Sequence, residues 1–339
     1  MTVYSPIQDH AVAVAPHPFE QLSPARIVDA VESLGFWLPG EPFALNSYEN
    51  RVFLFHDDER LRWVVKFYRP HRWSDAQIQE EHDFLAELDE ADVPVAAPWR
   101  DAEGRSLHHF DDFRFALFPQ VSGQAPELEN PVHLFALGDL IGQLHAVARR
   151  RTFVHRQRLD VTGMVEESRE QVLTAPWMTR QQRQAYERIS EKLGEQLKAR
   201  AWPAESLIRT HGDCHLGNIL GRDEHFALVD FDDCLMAPAV QDLWMMLTAQ
   251  HDQEAQMQLS ELLEGYEQHL DFPRAELAWI EPLRGLRLMR YAAWLVTRWS
   301  DPAFPRAFPW VADEGYWDQH LRTLEQQRQL LEESPRWLT

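Results

Sequence analysis

Over the first third of the chain apolar residues come in short alternating runs, and beyond residue 119 they recur at helical spacing. Alternation sends successive side chains to opposite faces of a strand, whereas a period near 3.6 lines one face of a helix. The pattern therefore predicts a sheet-rich first part and a helical second part. Ser23-Pro24 ahead of ARIVDAVESLG, with Gly35 as the stop, predicts a short capped helix. Arg51–Phe55 and Leu61–Tyr68, parted by the polar turn His56–Arg60, predict an antiparallel hairpin. Ser74 with Gln77 forms a capping-box pattern opening a helix, which ends before VPVAAPW. Ile78, Glu81, Leu85 and Leu88 fall on one stripe of that helix, with Glu81 the acidic residue in it. Ser106–Phe110 and Phe113–Phe118 predict another strand pair around Asp111-Asp112. The breaker-rich segment Pro119–Gly123 follows, then a long helix from Pro131 to Arg150. Helical patterning continues to the C-terminus, interrupted at Ile208–Asp233 and resumed in QDLWMML from Asp242.

This change of texture divides the chain into an N-terminal extension (1–20), a β-rich lobe (21–119), a hinge (120–124) and a helical lobe (125–339). The fold class is α+β, with a cleft between the lobes where a small molecule can sit. At 45% apolar and 26% charged residues the composition excludes wholesale disorder. Lys and Arg total 33 against 54 Asp and Glu, a net charge of −21. Such a chain repels phosphate backbones and anionic lipid at long range, which argues against nucleic-acid and membrane-surface roles. No apolar run approaches the ~18–20 residues of a membrane helix. The N-terminal segment MTVYSPIQDHAVAVAPHPF lacks a basic stretch before its apolar residues and does not read as a secretory signal. Cys214 and Cys234 are the two cysteines, too few for a disulfide framework, so the expected compartment is the cytoplasm. Among the 13 tryptophans, Trp294, Trp299, Trp310 and Trp317 read as core rather than as a cation cage.

Polar chemistry concentrates in IRTHGDCHLGNILGRDEHFALVDFDDC, residues 208–234. His211-Gly212-Asp213 makes a tight turn. Ile219-Leu220 and Phe226–Val229 predict a hairpin that brings Asn218 and Asp230 to one end, with Asp213 on the feeding loop. An amide oxygen and a carboxylate converging on one point suit Mg²⁺. A second carboxylate nearby can orient a hydroxyl and accept its proton, the arrangement that phosphoryl transfer requires. Asp232 and Asp233 read as loop caps, with a second metal or substrate contact as the alternative for Asp232. His145 reads as a hydrogen-bonded core histidine. His211, Cys214, His215 and Cys234 lack the CxxC pairs of strong zinc sites.

The pattern H-x-D-x-x-x-x-N followed by D-F-D resembles the catalytic and metal loops of the aminoglycoside phosphotransferase and choline kinase branch of the protein-kinase-like fold. NSYENRVF (46–53), VVKFYRPHRW (64–73), EEHDFLAEL (80–88), VPVAAP (93–98), HGDCHLGNIL (211–220) and PAVQDLWMML (238–247) together resemble the bacterial stress-response kinase A family, over about residues 20 to 330. That resemblance implies a bilobal ATP- and Mg²⁺-dependent kinase. It implies Asp213 as the catalytic base or orienter, and Asn218 and Asp230 as metal ligands, with Asp230 also catalytic. It further implies Lys66 on the α- and β-phosphates, held by Glu81 (or by Glu80 one position earlier), and Ser47 in the phosphate-covering turn. Phe118 to Val121 would take the adenine, and Asp242 would anchor the catalytic loop through its backbone. The implied acceptor is a protein Ser/Thr hydroxyl, with autophosphorylation, in a monomeric cytoplasmic stress-response enzyme.

The chain departs from the protein-kinase pattern in HGD for HRD, in DFD for DFG and in having no GxGxxG before Lys66. Residues 231–241 are all that separate Asp230 from Asp242, so a phosphorylation-controlled activation loop does not fit. Two other readings remain open. One is a small-molecule kinase for an amino alcohol, a homoserine-like compound or an aminoglycoside, favoured if the cleft presents acidic groups to a cationic acceptor. The other is a pseudokinase, disfavoured by the intact Lys66, Asp213, Asn218 and Asp230.

Overall fold

A computed structural model of the chain describes residues 17–202, 206–249, 251–333 and 337. Most of the expected N-terminal extension lies outside the described residues. The first lobe is a five-stranded antiparallel sheet in the order β1-β2-β3-β5-β4, flanked by two helices. Its elements in chain order are α1 (Pro24–Glu32), β1 (Phe43–Ala44), β2 (Arg51–His56), β3 (Arg62–Phe67), α2 (Asp75–Asp89), β4 (His108–Phe110) and β5 (Phe113–Pro119). Ser23 caps α1, and Ser74 and Gln77 close a reciprocal capping box on α2. Alternation decides what each sheet face does. Phe55, Val65, Phe67, Phe115 and Leu117 are buried with Phe19 and with Ile27 and Val31 of α1. The intervening residues Val64, Ala116 and Phe118 belong instead to the large core shared with α2 and the second lobe. Lys66 pairs with Val52 on one side and Ala116 on the other, so its side chain takes the cleft-facing side.

The second lobe holds α3 (Pro131–Ala148), α4 (Val161–Leu173), α5 (Arg180–Lys198), β6 (Ile208–Thr210), β7 (Ile219–Arg222), β8 (His225–Leu228), β9 (Leu235–Ala237), α6 (Asp252–Tyr266), α7 (Ile280–Thr297), α8 (Ala303–Ala307) and α9 (Glu314–Leu330). α3 and α6 cross closely because glycines face each other. A Cβ on Gly138 would lie 2.0 Å from the Leu262 carbonyl oxygen, and one on Gly265 the same distance from that of Phe135. α4, α5, α7 and α9 enclose a second core around Tyr186, Met289 and Trp317. Two small antiparallel pairs, β6–β9 and β7–β8, break the helical texture. The linker after β5 is joined to the second of these, Gln124 and Gly221 exchanging hydrogen bonds of 2.8 and 3.0 Å.

One element differs from the sequence expectation. QDLWMML does not form an α-helix. It makes two 3₁₀ turns, Ala239–Asp242 and Trp244–Met246. Side-chain bonds to other segments take the place of helix continuation: Asp242 accepts two backbone N–H groups from residues 211–212, and Gln241 donates to the Gly212 carbonyl at 2.8 Å.

Candidate active site

The 211–218 loop is shaped by Asp242. Its carboxylate accepts the His211 N–H at 2.7 Å and the Gly212 N–H at 2.9 Å, and His145 Nε2 lies 3.1 Å from it while Nδ1 meets the Tyr266 hydroxyl. Gly212 has φ +86°, and a Cβ there would sit 2.1 Å from the Asp233 carbonyl oxygen, so the tight turn tolerates nothing larger. His211 Nε2 is 3.0 Å from the Val229 carbonyl, tying the loop to the far strand of the β7–β8 hairpin. Asn218 donates its amide N–H to the Asp213 carbonyl at 3.0 Å. The Val229 N–H meets the Asn218 carbonyl at 3.0 Å. Asp213, Asn218 and Asp230 are thus assembled by bonds within one short stretch of chain. Asp230 itself adopts φ 61°, ψ 68°, a left-handed conformation that costs a non-glycine residue about 1–2 kcal/mol.

Across the cleft, the Lys66 ammonium donates to Asp230 Oδ1 at 2.9 Å and stands 3.5 Å from Glu81 Oε1. Asp232 Oδ1 is 3.1 Å away, an ion pair without hydrogen-bond alignment. Burial pulls this ammonium down, but Asp230, Asp232 and Glu81 outweigh it and hold the lysine well above its ordinary value. Glu81, not Glu80, faces the lysine. Glu80 instead accepts the backbone N–H groups of Val154, His155 and Arg156 at 2.6–2.7 Å. Ser47, in the turn between β1 and β2, donates to the Asn50 carbonyl at 3.2 Å. Phe118 pairs with Val64 in the sheet, and the following residue but one, Gln120, donates to the Arg62 carbonyl. The Val121 backbone takes no hydrogen bond from the described residues.

Several residues that the sequence pattern did not single out complete the site. Arg156 binds the Glu81 carboxylate and donates to the Asp232 carbonyl at 2.7 Å. Arg72 grips Asp232 and reaches Asp233 Oδ1 at 2.7 Å. Asp232 is therefore a buried counter-ion beneath Lys66, its acidity strengthened by Arg72 and Lys66 despite burial, rather than a free cap. Arg287 from α7 binds Asp213. Burial alone would raise the Asp213 carboxyl, yet Arg287 and His215, whose Nε2 is 3.5 Å off, hold it below the usual range.

On the same side α7 also receives the β1–β2 turn. Glu49 accepts from Trp294 Nε1 at 2.7 Å and from Arg298 at 2.8–3.1 Å. Arg51 and Arg69 both clasp Asp301 at 2.7–2.8 Å. Tyr48 packs on Phe304 and Phe308. The arginines at 51, 69, 72, 156, 287 and 298 carry no local signal, since each finds its partner far along the chain.

The donor set suits a small hard cation. The amide nitrogen of Asn218 is engaged, which leaves its Oδ1, and Asp230 keeps Oδ2 beyond its bond to Lys66. Two such oxygens fit Mg²⁺, which takes few protein ligands and completes its shell with water and phosphate. Cys214 and Cys234 are buried free thiols raised well above the ordinary thiol value by burial, unsuited to zinc. Among the described residues no three His, Cys, Asp or Glu side chains converge as a metal site. No described helix is long and apolar enough to cross a membrane.

A cleft with a buried lysine–glutamate pair from a five-stranded sheet, facing Asp213, Asn218 and Asp230 on a loop and hairpin, defines a kinase-like phosphotransferase. The family model "Phosphotransferase enzyme family" matches residues 41–280. Stress response kinase A of Escherichia coli (strain K12) is 41% identical over 321 residues, covering 95% of this chain and 97% of that protein. The serine/threonine protein kinase RdoA of Salmonella typhimurium (strain LT2) shows the same identity over 322 residues, with the same coverage. The chain belongs to this phosphotransferase family, as a kinase of the stress response kinase A type. In fold it is similar to an amicoumacin kinase solved with AMP-PNP and Ca²⁺, at TM-score 0.72 and 20% identity over 92% of this chain and 96% of that one. It is also similar to a microcompartment-associated aminopropanol kinase, at TM-score 0.68 and 18% identity over 90% and 96%.

Proposed function

We propose that the chain transfers the γ-phosphoryl group of ATP, with Mg²⁺, to a serine or threonine hydroxyl of a protein, its own included. The observation that carries this reading is Lys66, buried yet charged, poised between Glu81 and Asp230 at the meeting of the lobes. Lys66 would hold the α- and β-phosphates, with Glu81 fixing its position from α2 and Arg156 locking Glu81 in turn. Asn218 and Asp230 would hold Mg²⁺, whose chemistry is to neutralise charge on the phosphates. Asp213, kept ionised, would align the acceptor hydroxyl and take its proton. Residues 21–119 would cover the nucleotide, with Ser47 in the phosphate turn. Residues 120–124 would form the hinge, where Phe118 and the unengaged Val121 backbone would take the adenine, and 125–339 would carry the acceptor side.

The protein acceptor is supported by the relative named as a serine/threonine protein kinase. The amicoumacin and aminopropanol kinases of similar fold favour a small-molecule acceptor instead. That rival's electrostatic ground is weakened here, because the five carboxylates Glu81, Asp213, Asp230, Asp232 and Asp233 are each paired with one of the four cations Lys66, Arg72, Arg156 and Arg287. The reading carries with it a cytoplasmic monomer that binds neither nucleic acid nor membrane.

Labelled ATP and Mg²⁺, incubated with the protein, generic protein substrates and a panel of hydroxyl metabolites, test the proposal. Label is expected in protein. Label confined to a metabolite would replace the acceptor, and the absence of both transfer and Mg-ATP stabilisation in a thermal shift would remove the enzyme reading.

A further inference from the structure

α7 runs along the cleft from Asp213 to the β1–β2 turn. Arg287, Tyr291, Trp294 and Arg298 recur at helical spacing and share one face of it. Trp294 and Arg298 are engaged by Glu49. Arg287, about 10 Å further down at 1.5 Å per residue, is different. One of its nitrogens binds Asp213, the rest of its N–H fork meets no described residue, and its side chain is 40% exposed. Tyr291, one turn on and also 40% exposed, lies with its ring centroid 5.8 Å from that of Trp294. Arg290 beside it is exposed.

The neighbouring cations are already saturated: Lys66 by Asp230, Asp232 and Glu81, Arg72 by Asp232 and Asp233. Among the described residues the guanidinium donors still open beside Asp213 are therefore those of Arg287. A guanidinium is planar and offers parallel N–H donors that match a carboxylate.

We propose that Arg287 is the acceptor-selecting residue, and that the acceptor is a serine or threonine within an acidic peptide segment. One prong of the guanidinium stays on Asp213 while the open fork takes a carboxylate flanking the hydroxyl. Base and recognition element are thereby tied together, and a hydroxyl is brought to Asp213 when its neighbour is anionic. The inference rests on the reading of Asp213 as the acceptor-aligning group.

The test uses the full chain with Mg-ATP and three peptides of equal length, each with one serine flanked by Asp/Glu, by Ala or by Lys/Arg. The wild type is expected to prefer the acidic peptide over the alanine peptide by roughly tenfold in kcat/KM, as a charge-assisted bond allows. The preference should weaken with added salt. Arg287→Lys should keep part of it, and Arg287→Glu should invert it towards the basic peptide. Because the readout is a ratio between peptides, a general loss of rate does not mimic the result. An unchanged ratio in Arg287→Glu, or no preference in the wild type, overturns the inference. Label entering a small hydroxyl compound but no peptide also overturns it while leaving ATP-dependent transfer standing. Failure to turn over or bind Mg-ATP in every arm overturns the underlying reading and this inference with it.

Discussion

In the 211–218 loop the ties are short in sequence and run to backbone groups: His211 to Val229, Asn218 to Asp213 and to Val229, with Asp242 receiving two consecutive N–H groups. The β1–β2 turn on the opposite wall is held by side chains more than two hundred positions away, Glu49 by Arg298 and Trp294, Arg51 by Asp301. Backbone bonds fix atoms whatever the ionic strength, whereas partly exposed ion pairs weaken with salt and can be remade. The loop proposed to perform the chemistry is thus tied mainly through its backbone, and the turn proposed to cover the phosphates is tied through ion pairs that salt can weaken.

The contrast can be broken at four points, taken from the largest expected effect down. Asp213→Ala should lower phosphoryl transfer by about a thousandfold or more while Mg-ATP still binds. Single-turnover transfer and calorimetric nucleotide binding together check this, and near-wild-type transfer would refute the assignment. Asp242→Ala leaves two buried N–H groups and His145 without their acceptor, and should destabilise the fold by about 3–5 kcal/mol with loss of activity; chemical denaturation measures it.

Glu276, buried and accepting the Val240 N–H at 3.1 Å, supports the same segment from behind. Burial pushes it up to about 7 from an ordinary 4.5. Between those pH values the folded chain retains a proton that the unfolded chain has lost, so this group's contribution to stability falls as pH rises through the window. The loss amounts to at most about 3 kcal/mol. Glu276→Gln should flatten that slope in melts taken from pH 4.5 to 8, and an unaltered slope would exclude the group. Last, Glu49→Gln weakens the tether of the phosphate turn by about 1 kcal/mol. It should raise KM for ATP several-fold with little change in kcat, and added salt should reproduce the effect in the wild type. If neither moves KM, the turn is held by the Arg51 and Arg69 bonds to Asp301 and by Tyr48 packing instead.

The same contrast governs what the sequence disclosed. Alternation and capping were enough for β2, β3, α1, α2 and the 219–228 hairpin, because those signals are local. Asp213, Asn218 and Asp230 stood out for the same reason, lying within one loop and hairpin. Glu81 was legible as a charge in an apolar stripe. Arg72, Arg156 and Arg287 were not, since a guanidinium on a mixed surface looks the same whether it meets water or a carboxylate brought from another element. The 3₁₀ turns at 239–246 were misread as helix because the side chains of Gln241 and Asp242 bond to a distant loop, which periodicity cannot reveal.

The backbone of Asp230 bears one more implication. Glycine would occupy that left-handed geometry without penalty, yet an acid stands there, so the fold tolerates a local conformational burden in order to present an oxygen to the cleft. Removing that carboxylate would relieve the backbone but deprive the buried Lys66 ammonium of its hydrogen-bond acceptor.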